Sequence, residues 1–402
     1  VTLIQTASNV QHNLRHLRLF LAVVDTNSVT QASALSHLSQ PAVTQALAKI
    51  ERSLRTTVFT RTPRGLFANA EGKALARRVR RAFDFLDPAL AELSPRLKMV
   101  ATTSQLEALV AVSEAGNFTL AARQLGLAQP TVHRAITQLE DEAGKPLFER
   151  TSYGIIASRA ALALAQAARL AFTELVQAET DLAEARSEEK GRIVIGAMPL
   201  ARSFLLPRAI AEFRKTRPKI AIRIVEGPYS DLLSGLRRGE IDFLIGALRE
   251  PAPIGDVEQR FLFNDTLVVV SGSGHPLAQR QSVTINELAA YPWVVAQHGT
   301  PIRQHFDALF DDRPHQPASI VESSSLILMR ELLSCTDHLG CISVRQAQAE
   351  IARGLLKALP LDLCHTARPI GLTLRVNWAP TSAQEHFISL LDDRSLPEES
   401  DH

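Results

Sequence analysis

The chain has 402 residues, 46% of them hydrophobic, and a net charge of only +2 from 44 Lys/Arg against 42 Asp/Glu. That length predicts several domains with substantial cores, and the absence of any run of about 18 apolar residues argues against a membrane-spanning helix. The charge is unevenly spread: 14 Lys/Arg face 6 Asp/Glu in residues 1–102, against 7 and 10 in residues 103–187 and 23 and 26 in residues 188–402. A basic head on a near-neutral body points to a polyanion such as nucleic acid. Three cysteines, Cys335, Cys341 and Cys364, suit a reducing cytoplasm better than a disulfide framework. Residues Val1 to Asn13 lack a basic segment followed by an apolar one, so no export signal is expected.

The first half of the chain contains one unit twice. Leu14–Phe83 aligns without gaps on Thr103–Phe172, at an offset of 89 residues, with 22 of 70 positions identical. A unit of this length is a small domain rather than a solenoid repeat. In copy two, Leu106, Leu109, Val110 and Val112 predict a first helix. Asn117 or Thr119 then caps a short second helix that ends at Gly126. A third begins at Gln129-Pro130, where proline in the first turn costs no hydrogen bond. Val132, Ile136 and Leu139 face its core, leaving Pro130, Thr131, His133, Arg134 and Thr137 outward. Two short helices at a tight turn, the second presenting polar residues, describe a helix-turn-helix. Gly144 to Gly154, with Leu147-Phe148 followed by Arg150, predicts a two-stranded wing beside the phosphate backbone. The plainer alternative is a three-helix scaffold whose polar face is merely solvated.

Ser158 to Glu189 contains neither proline nor glycine, and its apolar residues recur at helical spacing. This predicts one long linker helix that must bury a stripe on a partner. The matching stretch of copy one is interrupted by Pro88 and Pro95, which predicts a shortened helix packed locally. From Gly191 strands and helices alternate, with strands predicted at 192–196, 221–225, 242–246, 267–270, 293–295 and 340–344, as in parallel βαβ units. Ligands of doubly wound sheets sit beyond the carboxyl ends of strands, among helix N-termini. That rule selects Arg202, Ser203, Tyr229, Arg249, Thr300, Arg303, Ser323, Ser324 and Ser325 as effector contacts. Arginine pairs bidentately with carboxylates, so these residues point to an organic anion, with a sugar as the alternative.

These motifs closely resemble LysR-type transcriptional regulators. Copy two carries Asn-Phe-Thr, Gln-Pro-Thr-Val and Pro-Leu-Phe-Glu-Arg almost unbroken. Gly-Ala-Met-Pro-Leu-Ala-Arg-Ser and Gly-Thr-Pro-Ile-Arg look like the subgroup holding the galactose-binding-protein regulator and the protocatechuate-catabolism regulator. The resemblance implies a multidomain fold: two all-α-rich winged helix-turn-helix domains (14–93 and 105–157, joined by 94–104), a linker and dimerisation helix (158–189), and an α/β two-lobed periplasmic-binding-protein-like effector domain (191–395). Lobe one would comprise 191–267 and 346–395, and lobe two 268–345. It further implies sequence-specific binding of double-stranded DNA, control by a small-molecule effector, a homodimer or homotetramer, and an encounter with RNA polymerase. Neither a cofactor nor a metal is implied. It assigns Gln129, Pro130, Thr131, His133, Arg134 and Arg150 of copy two, and Gln40, Pro41, Thr44, Gln45, Arg61 and Arg64 of copy one, to DNA contact. Arg134 suits guanine and the glutamines adenine.

The copies look specialised. Copy one has Ser36 for Leu125 and Arg55 for the turn glycine Gly144, but its following helix carries Arg77, Arg78, Arg80 and Arg81. Copy two is therefore expected to read bases and copy one to grip phosphates, or copy one is a passenger. A dimer would present four heads and a lengthened footprint. Three rival readings are disfavoured. An exported binding protein would lack the DNA-binding heads. An enzyme would show a nucleophile elbow, a metal cluster or a phosphate loop. A redox sensor would use Cys335 and Cys341, which sit at an apolar helix end and an apolar strand start and are expected to be buried.

Overall fold

In the computed structural model, which describes residues 13–392 apart from 153, 187, 253 and 312–315, both copies fold alike. The expected domain end at residue 395 lies outside the described residues. Copy one comprises α1 (Leu14–Thr26), α2 (Val29–Leu35), α3 (Gln40–Leu54), the hairpin β1 (Phe59–Thr62) and β2 (Gly65–Ala68), and α4 (Ala70–Leu93). A single turn, α5 (Leu97–Val100), leads to copy two: α6 (Thr103–Ala115), α7 (Phe118–Leu125), α8 (Gln129–Ala143), β3 (Phe148–Thr151), β4 (Gly154–Ala157) and α9 (Arg159–Ala185).

The same side chains make the same joints in both copies. Glu51 accepts from the Val58 amide at 2.9 Å and Glu140 from that of Leu147 at 2.7 Å, tying the third helix to the wing. Arg80–Asp25 and Arg169–Glu114 are equivalent ion pairs between first and last helices. The Leu66 amide donates to Asn27 O and the Ile155 amide to Gly116 O, fastening each wing to its first helix. Gly65 there has a φ of 141°, and a Cβ on it would lie 2.6 Å from Asn27 O, so the corner demands glycine.

Three helix ends turn through left-handed residues in each copy. Copy two uses Gly116, Gly126 and Gly144 there, whereas copy one uses Asn27, His37 and Arg55, with φ between 51° and 53°. Asparagine tolerates that conformation better than histidine or arginine. Copy one therefore stores about 1 kcal/mol at each of His37 and Arg55.

The local packing expected for copy one's last helix is not what forms. Helix α4 continues through Pro88 to Leu93 and lies along α9. Proline removes one intrahelical hydrogen bond, and burial on both sides of it holds the helix together. One apolar core runs through both heads, from Leu14 to Leu182. Leu75, Ala76, Val79, Ala82, Leu86 and Leu93 are buried on α4, and Leu164, Ala165, Ala168, Ala171, Leu175 and Leu182 on α9. These are the same positions of the repeat. The alanines of α9 are thus an interface, small enough to let α4 approach closely.

The second compact unit begins at Arg192. Its elements run β5 (Arg192–Ala197), α10 (Leu206–Thr216), β6 (Ala221–Val225), α11 (Tyr229–Arg237), β7 (Phe243–Ala247), β8 (Val257–Asp265), β9 (Leu267–Ser271) and α12 (Ile285–Ala289). They continue as β10 (Pro292–Val295), α13 (Pro301–Phe310), β11 (Ser319–Glu322), α14 (Leu326–Cys335), β12 (Leu339–Ser343), α15 (Val344–Ala352), β13 (Lys357–Ala358), β14 (Arg368–Arg375) and α16 (Ser382–Ser389). Two five-stranded sheets result, ordered β6-β5-β7-β14-β8 and β11-β10-β12-β9-β13. Strands β5, β6 and β7 are mutually parallel, as are β10, β11 and β12, while β14 and β9 run against their neighbours. The sheets are therefore mixed rather than purely parallel.

The return crossover also differs from expectation. Residues from 346 were expected in lobe one, but β13 pairs with β9, and Ala347, Leu356 and Leu363 pack in the cores of the second sheet. The chain crosses back between Leu363 and Arg368. There Asp265 accepts from Ser343 at 2.8 Å and from Arg368 at 2.7 Å, while Thr366 accepts from the Leu267 amide at 3.0 Å. Buried charges need such pairing and hydrogen bonding, and this cluster joins the chain segments that run between the lobes.

Candidate nucleic-acid interface and effector cleft

Each third helix exposes the face expected of it. Gln40, Pro41, Thr44 and Gln45 on α3, and Gln129, Pro130, Thr131, His133 and Arg134 on α8, are exposed, as are Arg61, Arg64 and Arg150 on the wings. Ser39 caps α3 by accepting from the Ala42 amide, whereas its counterpart Ala128 gives α8 no side-chain cap. Two of these residues already have partners within their own head. The Thr44 hydroxyl donates to Gln40 O at 3.0 Å, and the His133 ring lies 5.1 Å from that of Phe118. Gln45, Arg134 and the wing arginines carry the hydrogen-bonding capacity outward. Leu38 and Leu127, in the turn before each third helix, are about half exposed, and sequence reasoning did not single them out. An apolar side chain at that position can meet a thymine methyl.

The arginine cluster on α4 is not the continuous phosphate grip expected: Arg78 and Arg81 turn into the seam with α9, while Arg77 and Arg80 stay largely exposed. Arg78 is 1% exposed and donates to Glu174 at 3.0 Å, to Gln177 at 2.9 Å and to Asp181 at 2.8 Å, all on α9. Arg81 pairs with Glu174, Arg77 with Asp181 and Arg80 with Asp25. Burial opposes the charge on Arg78, but Asp181 and Glu174 outweigh it and raise its pKa. Part of copy one's basic surplus is therefore spent on copy two's acidic surplus.

In the second unit, the carboxyl ends of β5, β6 and β7 bring Arg202, Ser203, Tyr229 and Arg249 to one sheet edge. The Arg249 guanidinium stacks on the Tyr229 ring at 3.9 Å. Gln259 holds the Arg249 backbone at both ends, accepting from its N–H and donating to its carbonyl, each at 2.8 Å. Gln259 lies on β8, a strand not predicted, so sequence reasoning had no route to it. Arg249 Nε, Arg202 Nε and Tyr229 Oη are buried without a hydrogen-bond partner among the described residues, Tyr229 Oη facing Thr373 without normal hydrogen-bond geometry. Burial pushes the Tyr229 hydroxyl above its ordinary pKa, against the pull of the Arg249 cation.

Two of the three expected arginines are already paired. Arg202 is bonded to Glu226, and buried Arg303 pairs with Asp307 at 2.7 Å and Glu322 at 2.5 Å. Arg303 is thus a structural cation of lobe two rather than a ready ligand for an effector. Thr300 and Ser325 cap α13 and α14, Ser323 accepts from the Ser325 amide at 3.1 Å, and Ser324 is exposed beside them. The Ser203 hydroxyl donates to Pro199 O at 3.1 Å. Arg345, on α15, stacks over Phe204, in the helical turn before α10, and Phe263 of β8 at 5.0 and 5.5 Å and links the lobes, a contact the sequence did not suggest. Cys341 is buried in β12, its thiol pushed up to about 12, while Cys335 is exposed, contrary to expectation.

Known proteins share this architecture. The LysR substrate binding domain matches residues 186–395, and the helix-turn-helix of lysR-family bacterial regulatory proteins matches twice, at 14–73 and 103–162. The transcriptional regulator GalR of Pseudomonas putida is 34% identical over 369 residues, covering 90% of this chain and 92% of that protein, too long an alignment to omit either head. The regulator PcaQ of Agrobacterium fabrum is 28% identical over 279 residues, 69% of this chain and 89% of that one. Among solved structures, full-length CbnR complexed with its target DNA has a TM-score of 0.51 at 20% identity, covering 73% of this chain and 99% of that chain. A full-length OxyR from Pseudomonas aeruginosa has a TM-score of 0.53 at 22% identity, covering 72% and 94%. These two structures match nearly end to end yet leave about a quarter of this chain uncovered.

Proposed function

Because this chain belongs to the LysR family of bacterial transcriptional regulators, DNA-binding proteins controlled through an inducer-binding domain, we propose specific roles for its exposed residues. Helices α3 and α8 enter major grooves, with Gln45 and Arg134 as the base-reading side chains, and Arg61, Arg64 and Arg150 contact phosphates. The effector is an organic anion that carries hydroxyl groups. Its carboxylate is met by Arg249, and the hydroxyls of Thr300, Ser323 and Ser325 meet it from lobe two. The observation that carries this reading is the pair of buried, unsatisfied donors, Arg249 Nε and Tyr229 Oη, at the strand ends. Neutralisation of Arg202 and Arg303 by Glu226, Asp307 and Glu322 favours a second reading, an uncharged sugar. A thermal-shift screen against aromatic acids, carboxymuconates and sugars separates the two. An acid should raise the melting temperature of the wild type and not of Arg249→Ala. A sugar that stabilises both proteins equally would refute the anionic reading. In this account the regulator works in the cytoplasm as a homo-oligomer and meets RNA polymerase at the promoter; among the described residues no helix is long and apolar enough to cross a membrane.

A further inference from the structure

We infer that one chain carries a complete pair of DNA-binding heads and by itself reads a composite site of two unlike half-sites, an inference resting on the DNA-binding reading above. Three observations converge on it.

The first is direction. Along α4 from Arg77 and Arg78 to Arg81, the partner on α9 moves back from Asp181 to Glu174, so the helices run antiparallel. Each head is attached at the N-terminal end of its own helix, so the heads stand at opposite ends of the pair. Helices of 24 and 27 residues span about 36–40 Å, against about 34–36 Å for one turn of duplex. The matched buried positions on α4 and α9 give the seam the self-complementary form of a two-fold interface, made here from two halves of one chain.

The second is the asymmetry of the charges across that seam. At the 89-residue offset Arg78 corresponds to Ala167, and Glu174 to Phe85. Two α9 helices from different chains would therefore bury Glu174 with alanine where its cation should stand. Two α4 helices would offer Arg78 Glu92 at the position of Asp181 but only Phe85 at that of Glu174. Arg78 keeps both of its carboxylates, and Glu174 its cations, only when α4 meets α9, and unpaired buried charge works against the like-with-like alternatives. The face of α9 expected to join two chains is already covered by α4.

The third is that the reading faces differ. Thr44, Gln45 and Ala48 of copy one stand where copy two has His133, Arg134 and Thr137. Arginine and glutamine prefer different bases, so the half-sites should not be copies of one another.

Selecting the full-length chain on a random duplex library, followed by footprinting, tests this directly. The expected motif has two unlike halves whose centres are about one or two helical turns apart. Arg134→Ala, an exposed change that spares folding, should relax base preference about 10- to 100-fold in one half only. Gln45→Ala should relax the other half only. A palindromic motif, with Arg134→Ala relaxing both halves and Gln45→Ala neither, would overturn the inference while leaving the DNA-binding reading intact. Failure to enrich any sequence would overturn both. In assemblies mixed from wild type and the Gln45→Ala/Arg134→Ala double variant, each head pair should protect both half-sites or neither. Protection of one half-site alone would mean that heads pair between chains, and would also overturn it.

Discussion

Replacing Arg78 with alanine should unfold the head unit selectively. The guanidinium is 1% exposed, and its partners Glu174 and Asp181 are 5% and 10% exposed, so solvent screens the charges little. Removing one partner of such a cluster costs about 3–5 kcal/mol, mostly the penalty of leaving the others buried and uncompensated. Arg81 remains on Glu174 and Arg77 on Asp181, which favours the lower end, about 3 kcal/mol. At 2–4 °C per kcal/mol for a unit of this size, the melting temperature of the heads should fall by about 6–12 °C. Both tryptophans, Trp293 and Trp378, lie in the second compact unit. Far-ultraviolet circular dichroism is dominated by the heads, which hold most of the helical residues, and tryptophan fluorescence from the second unit provides an internal control that should barely move. Replacing the cluster with apolar residues, as Arg78→Met/Glu174→Leu/Asp181→Leu, should recover most of the loss, since apolar replacements of buried ion networks are often neutral or better. A dichroism transition unchanged in Arg78→Ala would show that the guanidinium is solvated and that α4 does not pack on α9.

Two further outcomes follow from local geometry. His37→Gly and Arg55→Gly should each stabilise the heads by about 1 kcal/mol by relieving left-handed residues. Gly126→Ala and Gly144→Ala should cost a similar amount through φ alone, because a Cβ at either meets nothing within 4 Å; equal melting temperatures across this set would remove the strain argument. In the second unit, His275 Nδ1 accepts from the Leu277 amide at 3.0 Å and Nε2 lies 3.3 Å from Asp337 O, which together assign the neutral tautomer with its proton on Nε2. Burial lowers its pKa from 6.5, against the pull of Asp337. A base with a depressed folded pKa contributes stability above its unfolded value that is lost as pH falls through the folded one. The fluorescence-detected melting temperature should thus drop on acidification below about pH 6.5, less steeply in His275→Asn. An unchanged slope in that variant would assign the loss to other groups.

The heads were legible in the sequence because their signals are local. Gln-Pro at a helix start, glycine at three turns and apolar residues at helical spacing each state a conformation within a few residues. The strands at 257–265 and 368–375 were missed for the opposite reason. They join the sheet by long-range antiparallel pairing, and a register shift between Ile370 and Gly371 breaks their alternation. Missing β8 meant missing Gln259, the residue that fixes Arg249. The candidate effector cleft was legible in its strand-end residues but not in its charge. Arg202 and Arg303 do stand beside strand ends, yet Glu226 and Glu322, which neutralise them, end or follow neighbouring strands and become partners only after folding.

The charge asymmetry between the copies illustrates the same limit, and also a way around it. Helical spacing alone cannot say whether an arginine meets a phosphate or a carboxylate, so Arg77, Arg78 and Arg81 read as a phosphate grip. Placed on the repeat, however, they face Gln166, Ala167 and Leu170, while Glu174 of copy two faces Phe85. If both last helices bound phosphate, the arginines should recur in both. If each paired with its own copy, every cation would need its acid on the same helix; α4 has Glu92 at the position of Asp181 but only Phe85 at that of Glu174, and α9 has Ala167 at that of Arg78. Cations confined to one copy and a buried acid confined to the other are what a seam between the two copies requires. Two covalently joined copies of a self-complementary interface can differ from one another, and complementary charges then favour one pairing over the alternatives. The wing arginines and Arg134 on α8 are exposed, and in the proposed reading these are the cations that meet DNA.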